Sequence, residues 1–173
     1  MPRSGVLVVE DRPQDEQAVR DTILDKLQAM NPGTVIEVYP ARDNLVEAKE
    51  EIIFRAEQRR RSAADAGLRV IVADLAIFER DRTGAPRLEN GMELVTWLSA
   101  ERDQAPEGGV FHGWGSSTPP VPYIVVVTAL TDPAGHPKPG TDCDELIVKE
   151  GDWVAALAAA LLRAGIEGLT WPA

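Results

Sequence analysis

Three carboxyl groups, one hydroxyl and one amine stand at the ends of short apolar runs in this chain. Val6-Leu7-Val8-Val9 runs into Glu10-Asp11, Val70-Ile71-Val72-Ala73 into Asp74, Ile124-Val125-Val126-Val127 into Thr128-Ala129, and Leu146-Ile147-Val148 into Lys149. Gathered on one rim, the carboxylates repel one another, so either one keeps a proton at a raised pKa or a hard divalent cation resolves the repulsion. Mg2+ is the simpler answer. It takes oxygen ligands and keeps several waters, and Asp11, Asp74 and a backbone carbonyl near Ala76, with Glu10 directly or through water, can supply its protein shell. No His/Cys spacing suggests zinc instead.

The elements that must carry these residues alternate in type. Gly5–Val9 reads as a strand buried on both faces, and Val19, Ile23 and Leu27 give the next segment a helical stripe with Asp15, Glu16 and Asp21 near its start. Val35–Tyr39 is a second strand between turn residues. Asn44 with Glu47 opens a long helix carried by Leu45, Ala48, Ile52 and Ala56. Arg69–Asp74 is a third strand, and Met92, Leu94, Val95 and Leu98 mark a third helix before a Gly/Pro/Ser-rich loop from 102 to 120. Pro122–Thr128 and Glu145–Lys149 complete five strands. Between them Pro133, Gly135, Pro137, Pro139 and Gly140 allow a loop or one short turn, and Asp152 caps a last helix through Arg163. Strands alternating with helices predict one parallel, doubly wound α/β domain over residues 1–173, and in such a sheet ligand chemistry gathers at the carboxyl ends of the strands.

Composition narrows the partners. The net charge of −10 opposes a polyanionic backbone, so direct nucleic-acid binding is not expected, and Arg59-Arg60-Arg61 reads as a solvated helix face. No apolar run approaches membrane-spanning length, no signal segment opens the chain, and the single Cys143 fits a reducing compartment, so the cytoplasm is the expected location. Trp97, Trp114, Trp153 and Trp171 read as core or interface anchors.

The order of acidic pair, lone Asp, Thr-Ala and Lys at successive strand ends resembles the receiver domain of two-component response regulators. The pieces that carry the resemblance are Val8-Val9-Glu10-Asp11, Val72-Ala73-Asp74, Asn90-Gly91-Met92-Glu93-Leu94, Val127-Thr128-Ala129 and Ile147-Val148-Lys149. Each alone is weak; all five in order are strong. The resemblance implies a flavodoxin-like sheet of order 2-1-3-4-5. It also implies a phosphoryl group accepted on Asp74 from a histidine kinase or phosphotransfer protein, Mg2+ held by Glu10, Asp11, Asp74 and the Ala76 carbonyl, and Lys149 and Thr128 contacting phosphoryl oxygens.

The chain departs from that family in four places. Glu150 replaces the proline that usually follows the lysine, Leu146 stands where a switching aromatic is common, residues 132–141 leave the family's fourth helix reduced or replaced by a loop, and the loop after Asp74 is expanded, with Glu79, Arg80, Asp81 and Arg82 available to cover the acidic site. With no effector domain after the last helix, the expectation is an atypical stand-alone receiver that signals through a protein partner not identified by the sequence; a homodimer is compatible. Phosphorylation-independent partner binding is the alternative. A Mg2+-dependent phosphatase is disfavoured, because Leu75-Ala76 after Asp74 supplies no second Asp two positions on to act as general acid.

Overall fold

The computed structural model describes residues 3–10, 13–21, 28–33, 35–39, 45–61, 67–75, 89–112, 114, 121–129 and 133–165. Five parallel strands, β1 (Arg3–Val9), β2 (Val35–Tyr39), β3 (Leu68–Asp74), β4 (Tyr123–Thr128) and β5 (Glu145–Val148), form one sheet in the order β2-β1-β3-β4-β5. The helices are α1 (Pro13–Asp21), α2 (Leu45–Arg61), α3 (Glu89–Asp103) and α4 (Trp153–Arg163). This is the expected doubly wound architecture and strand order.

The apolar runs are continuous because the central strands are buried on both faces, with alternate side chains entering opposite cores. Leu7, Val9, Ile71, Ala73, Ile124 and Val126 pack beneath α2 and α3, where Ala48, Ile52, Ala56, Leu94, Val95 and Leu98 meet them. Val6, Val8, Val70, Val72, Val125 and Val127 face the other way, onto Val19 of α1 and Leu157, Ala160 and Leu161 of α4. Those two cores fix the sheet between its helices. A one-residue slip in any central strand would exchange its two faces.

The segment before β5 contains one 3-10 turn, Pro133–Gly135, and no longer helix among its described residues, as its prolines require. It closes with Gly140 N donating to Cys143 O at 2.7 Å, and Ser99 Oγ of α3 donates to Thr141 O at 3.1 Å. Asp144 then accepts from Ile124 N at 2.7 Å and from Arg102 of α3 at 2.5 Å, pinning the starts of β4 and β5. Asp152 caps α4 by accepting from Ala155 N, and Gly165 follows it at φ +71°.

The basic run at the end of α2 is not merely solvated. Arg59 donates to Leu68 O at 2.8 Å and lies 4.4 Å from the centroid of the Trp114 ring, while Arg60 donates to Val110 O at 2.9 Å. The length of arginine explains the difference, since its methylene stem packs while its guanidinium reaches a carbonyl.

Candidate acidic site

Strand register assembles the site. Val9 pairs with Ala73, so Glu10, one residue beyond β1, comes level with Asp74, the last residue of β3. Asp74 pairs with Val127 on β4, and Thr128 pairs with Val148 on β5, immediately before Lys149. Adjacent strands lie ~4.8 Å apart, so a side chain leaving β5 must cross β4 to reach carboxylates from β3 and β1. Lysine is long enough, and β4 ends in the short Thr128 and Ala129.

Lys149 Nζ donates to Glu10 at 2.7 Å, to Asp74 at 2.8 Å and to Asp15 at 2.6 Å, using its three donors on three carboxylates. The Lys149, Glu10 and Asp74 side chains are 6%, 4% and 3% exposed, and that of Asp15 is 25% exposed. Lys149 is also 5.8 Å from the centroid of the Trp153 ring at the start of α4. Its own backbone N–H donates to Thr128 O at 2.8 Å, and Thr128 is fully buried at the end of β4. The peptide bond between Lys149 and Glu150 is not cis, so the lysine is aimed by its carboxylates rather than by a following cis proline.

Glu10, Asp74 and Lys149 are therefore in direct contact, and Thr128 ends the intervening strand. Asp11 and Ala76 lie outside the described residues. The sequence reading missed Asp15, which it assigned only to the dipole-favoured first turn of a helix. Its place held the clue: Asp15 lies in the first turn of α1, which opens at Pro13, four residues after β1 ends at Val9, so it stays near the rim where β1 finishes.

Carboxylate repulsion is resolved here by two devices at once. Lys149 supplies the cation, and the Glu10 carboxyl is pushed up to about 8, first by burial and then by the neighbouring Asp74 carboxylate, against the opposing pull of Lys149. Burial alone would lower the Lys149 pKa; hydrogen bonds to Asp15, Asp74 and Glu10 outweigh it and raise it. A group whose pKa is raised in the folded state stabilises most below its unfolded value. Glu10 thus contributes fully below about 4.5 and loses that contribution as pH rises through about 8. With divalent cations chelated, Glu10→Gln should gain melting temperature relative to wild type across that window, as scanning fluorimetry would read. Parallel profiles would show that Glu10 is not held neutral.

The oxygens fit a hard cation. One carboxylate oxygen from each of Glu10, Asp15 and Asp74 lies within 4.8 Å of the others, and an ammonium already stands among them.

Gly91 explains the Asn90-Gly91 pair. A Cβ there would lie 2.1 Å from Leu75 O and 2.4 Å from Leu75 Cα, so only glycine lets the first turn of α3 close on the residue after Asp74. Gly91→Ala should cost about 1–3 kcal/mol, read as a lower urea midpoint at unchanged slope.

No protein-family model matches the chain, and no curated protein matches it significantly. Solved structures do. A response regulator in red-light signalling of R. palustris superposes with a TM-score of 0.55 at 15% identity, covering 100% of this chain and 99% of that one. The signal receiver domain of a signal transduction histidine kinase from Syntrophus aciditrophicus gives 0.50 at 16% identity, over 98% and 96%. The fold is that of a response-regulator receiver.

In this fold Glu10, Asp74, Thr128 and Lys149 lie on one rim, and among the described residues between β4 and β5 the only helix is a 3-10 turn. No described helix is long and apolar enough to cross a membrane.

Proposed function

We propose that the chain is a receiver that accepts a phosphoryl group on Asp74 from the phosphohistidine of a histidine kinase or phosphotransfer protein and passes its state to a protein partner. One observation carries this reading: Asp74 ends the central strand of a receiver fold in contact with Lys149 and beside Glu10 and Asp15. An Asp74 oxygen attacks phosphorus, its O–P bond forms as the donor N–P bond breaks, and the electron pair leaves with the imidazole nitrogen. Lys149 then turns from the carboxylates toward the phosphoryl oxygens, and the Thr128 hydroxyl donates to another.

Glu10, Asp15 and Asp74 would hold Mg2+, with Asp11 and the Ala76 carbonyl as the sequence-based additions. When bound, the cation supplies positive charge for the phosphoryl oxygens. The chain is a phosphoacceptor with self-catalysed transfer rather than a turnover enzyme. Incubation with acetyl phosphate and Mg2+ should add one phosphoryl group to the intact mass, and chelation should prevent it. An unchanged mass at saturating donor would overturn the proposal.

A second reading, phosphorylation-independent partner binding, is favoured by one observation. Asp74 is nearly inaccessible and already held by Lys149. Partner capture equal for wild type and Asp74→Asn, with or without phosphoryl donor, would select it.

A further inference from the structure

Helix α2 is apolar on two sides. Ala48, Ile52 and Ala56 are buried against the sheet, yet Val46, Ile53 and Phe54 remain 61%, 42% and 49% exposed on the outward arc. That arc also separates its charges along the axis: Glu47 and Glu50 precede the apolar centre, and Arg60 and Arg61 follow it. We propose that this face is a self-association surface on which two copies of the chain pair their α2 helices antiparallel, about a two-fold axis between Ile53 and Phe54.

The register follows from the symmetry. An axis between positions 53 and 54 sets Ile53 against Phe54 of the second copy, Glu47 against Arg60, and Val46 against Arg61. A 250 Å3 depression lined by Phe54, Glu57, Gln58 and Arg61 occupies the end of α2 that would receive Val46. The apolar residue furthest from the centre therefore meets a recess, and the acidic end meets the basic one. Glu50 falls opposite Glu57, whose charge is offset by Arg61 at 2.6 Å.

Antiparallel packing also opposes the two helix dipoles favourably, whereas a parallel pair would stack Glu47 on Glu47 and Arg60 on Arg60. The arrangement is isologous and closes at two copies. A second copy is favoured over a foreign partner because both halves of the complementarity are on this one helix. The 17 residues of α2 span about 25 Å, so the contact lies at the small end of specific interfaces and the dimer is expected to be concentration-dependent.

Sedimentation velocity of the full chain over a hundredfold concentration range tests the proposal. Wild type should shift from monomer toward dimer. Ile53→Glu, on an exposed position where the fold tolerates it, should weaken association about tenfold or more at unchanged melting temperature. Arg60→Glu should weaken it about fivefold, and the double variant Glu47→Arg, Arg60→Glu should return to within about twofold of wild type. Monomer at every concentration, a dimer indifferent to Ile53→Glu, or a charge-swapped pair that stays as weak as Arg60→Glu would each overturn it.

Discussion

Asp74→Asn is expected to take up no phosphoryl group under conditions that label wild type fully, a fall of at least ~10³-fold in the rate of acyl phosphate formation. The amide keeps the size of the carboxyl and an oxygen that can still accept from Lys149, so the fold should survive. It lacks the anionic nucleophile. Intact-mass spectrometry after incubation with acetyl phosphate and Mg2+ reads the outcome directly. Labelling of the Asn variant would move the acceptor elsewhere, with Glu10 and Asp15 the next carboxylates to test, since each shares the Lys149 ammonium with Asp74.

Lys149→Met should produce the largest change in stability. The side chain is 6% exposed and donates to three carboxyl groups, so its removal leaves the buried Asp74 carboxylate without its ammonium partner, while Glu10, already held neutral, loses a hydrogen bond. Breaking a buried ionic cluster from one side costs about 3–5 kcal/mol, which for a chain of this length lowers the melting temperature by ~10 °C. The same carboxylates are the oxygens proposed to hold Mg2+. A divalent cation should therefore recover much of the loss, and the melting temperature difference between Mg2+ and chelator should be larger in Lys149→Met than in wild type. Equal melting of variant and wild type in chelator would show that the ammonium is not the counter-ion that holds the site. Recovery by Na+ at matched ionic strength would show screening rather than a bound divalent cation.

These two variants separate chemistry from architecture. Asp74 is expected to matter for transfer and little for folding; Lys149 is expected to matter for both, because the residue proposed to contact the phosphoryl group also holds the resting site together. Among the described residues between β4 and β5 a 3-10 turn is followed by a loop anchored on α3 through Ser99 and on β4 through Asp144.

The strands, their order in the chain and the residues at their ends follow from local patterning alone. Val-rich runs can only be buried on both faces, period-four stripes can only cover them, and a parallel sheet brings every run's last residue to one edge. That is why Glu10, Asp74, Thr128 and Lys149 are legible in the sequence, as is the loss of a helix where three prolines fall between Asp132 and Thr141. The demand for glycine at Gly91 was visible only as a turn signal; the backbone of Leu75 that forbids a side chain there belongs to another element.

Which side chains touch on that edge is set by packing between distant parts of the chain. Asp15 carries the signature of a helix start, and nothing local distinguishes a carboxylate facing solvent from one 2.6 Å from an ammonium donated 134 residues later. The neutral preference of Glu10 has the same origin, since burial and the proximity of Asp74 are properties of the packed rim and not of the Val9-Glu10 sequence. Charged neighbours in the chain give Arg59 the pattern of a solvated residue, yet its guanidinium finds Leu68 O and the Trp114 ring across the fold. Periodicity encodes which face of an element is buried. The partners of a long polar side chain are set by distance in space, which the chain acquires only on folding.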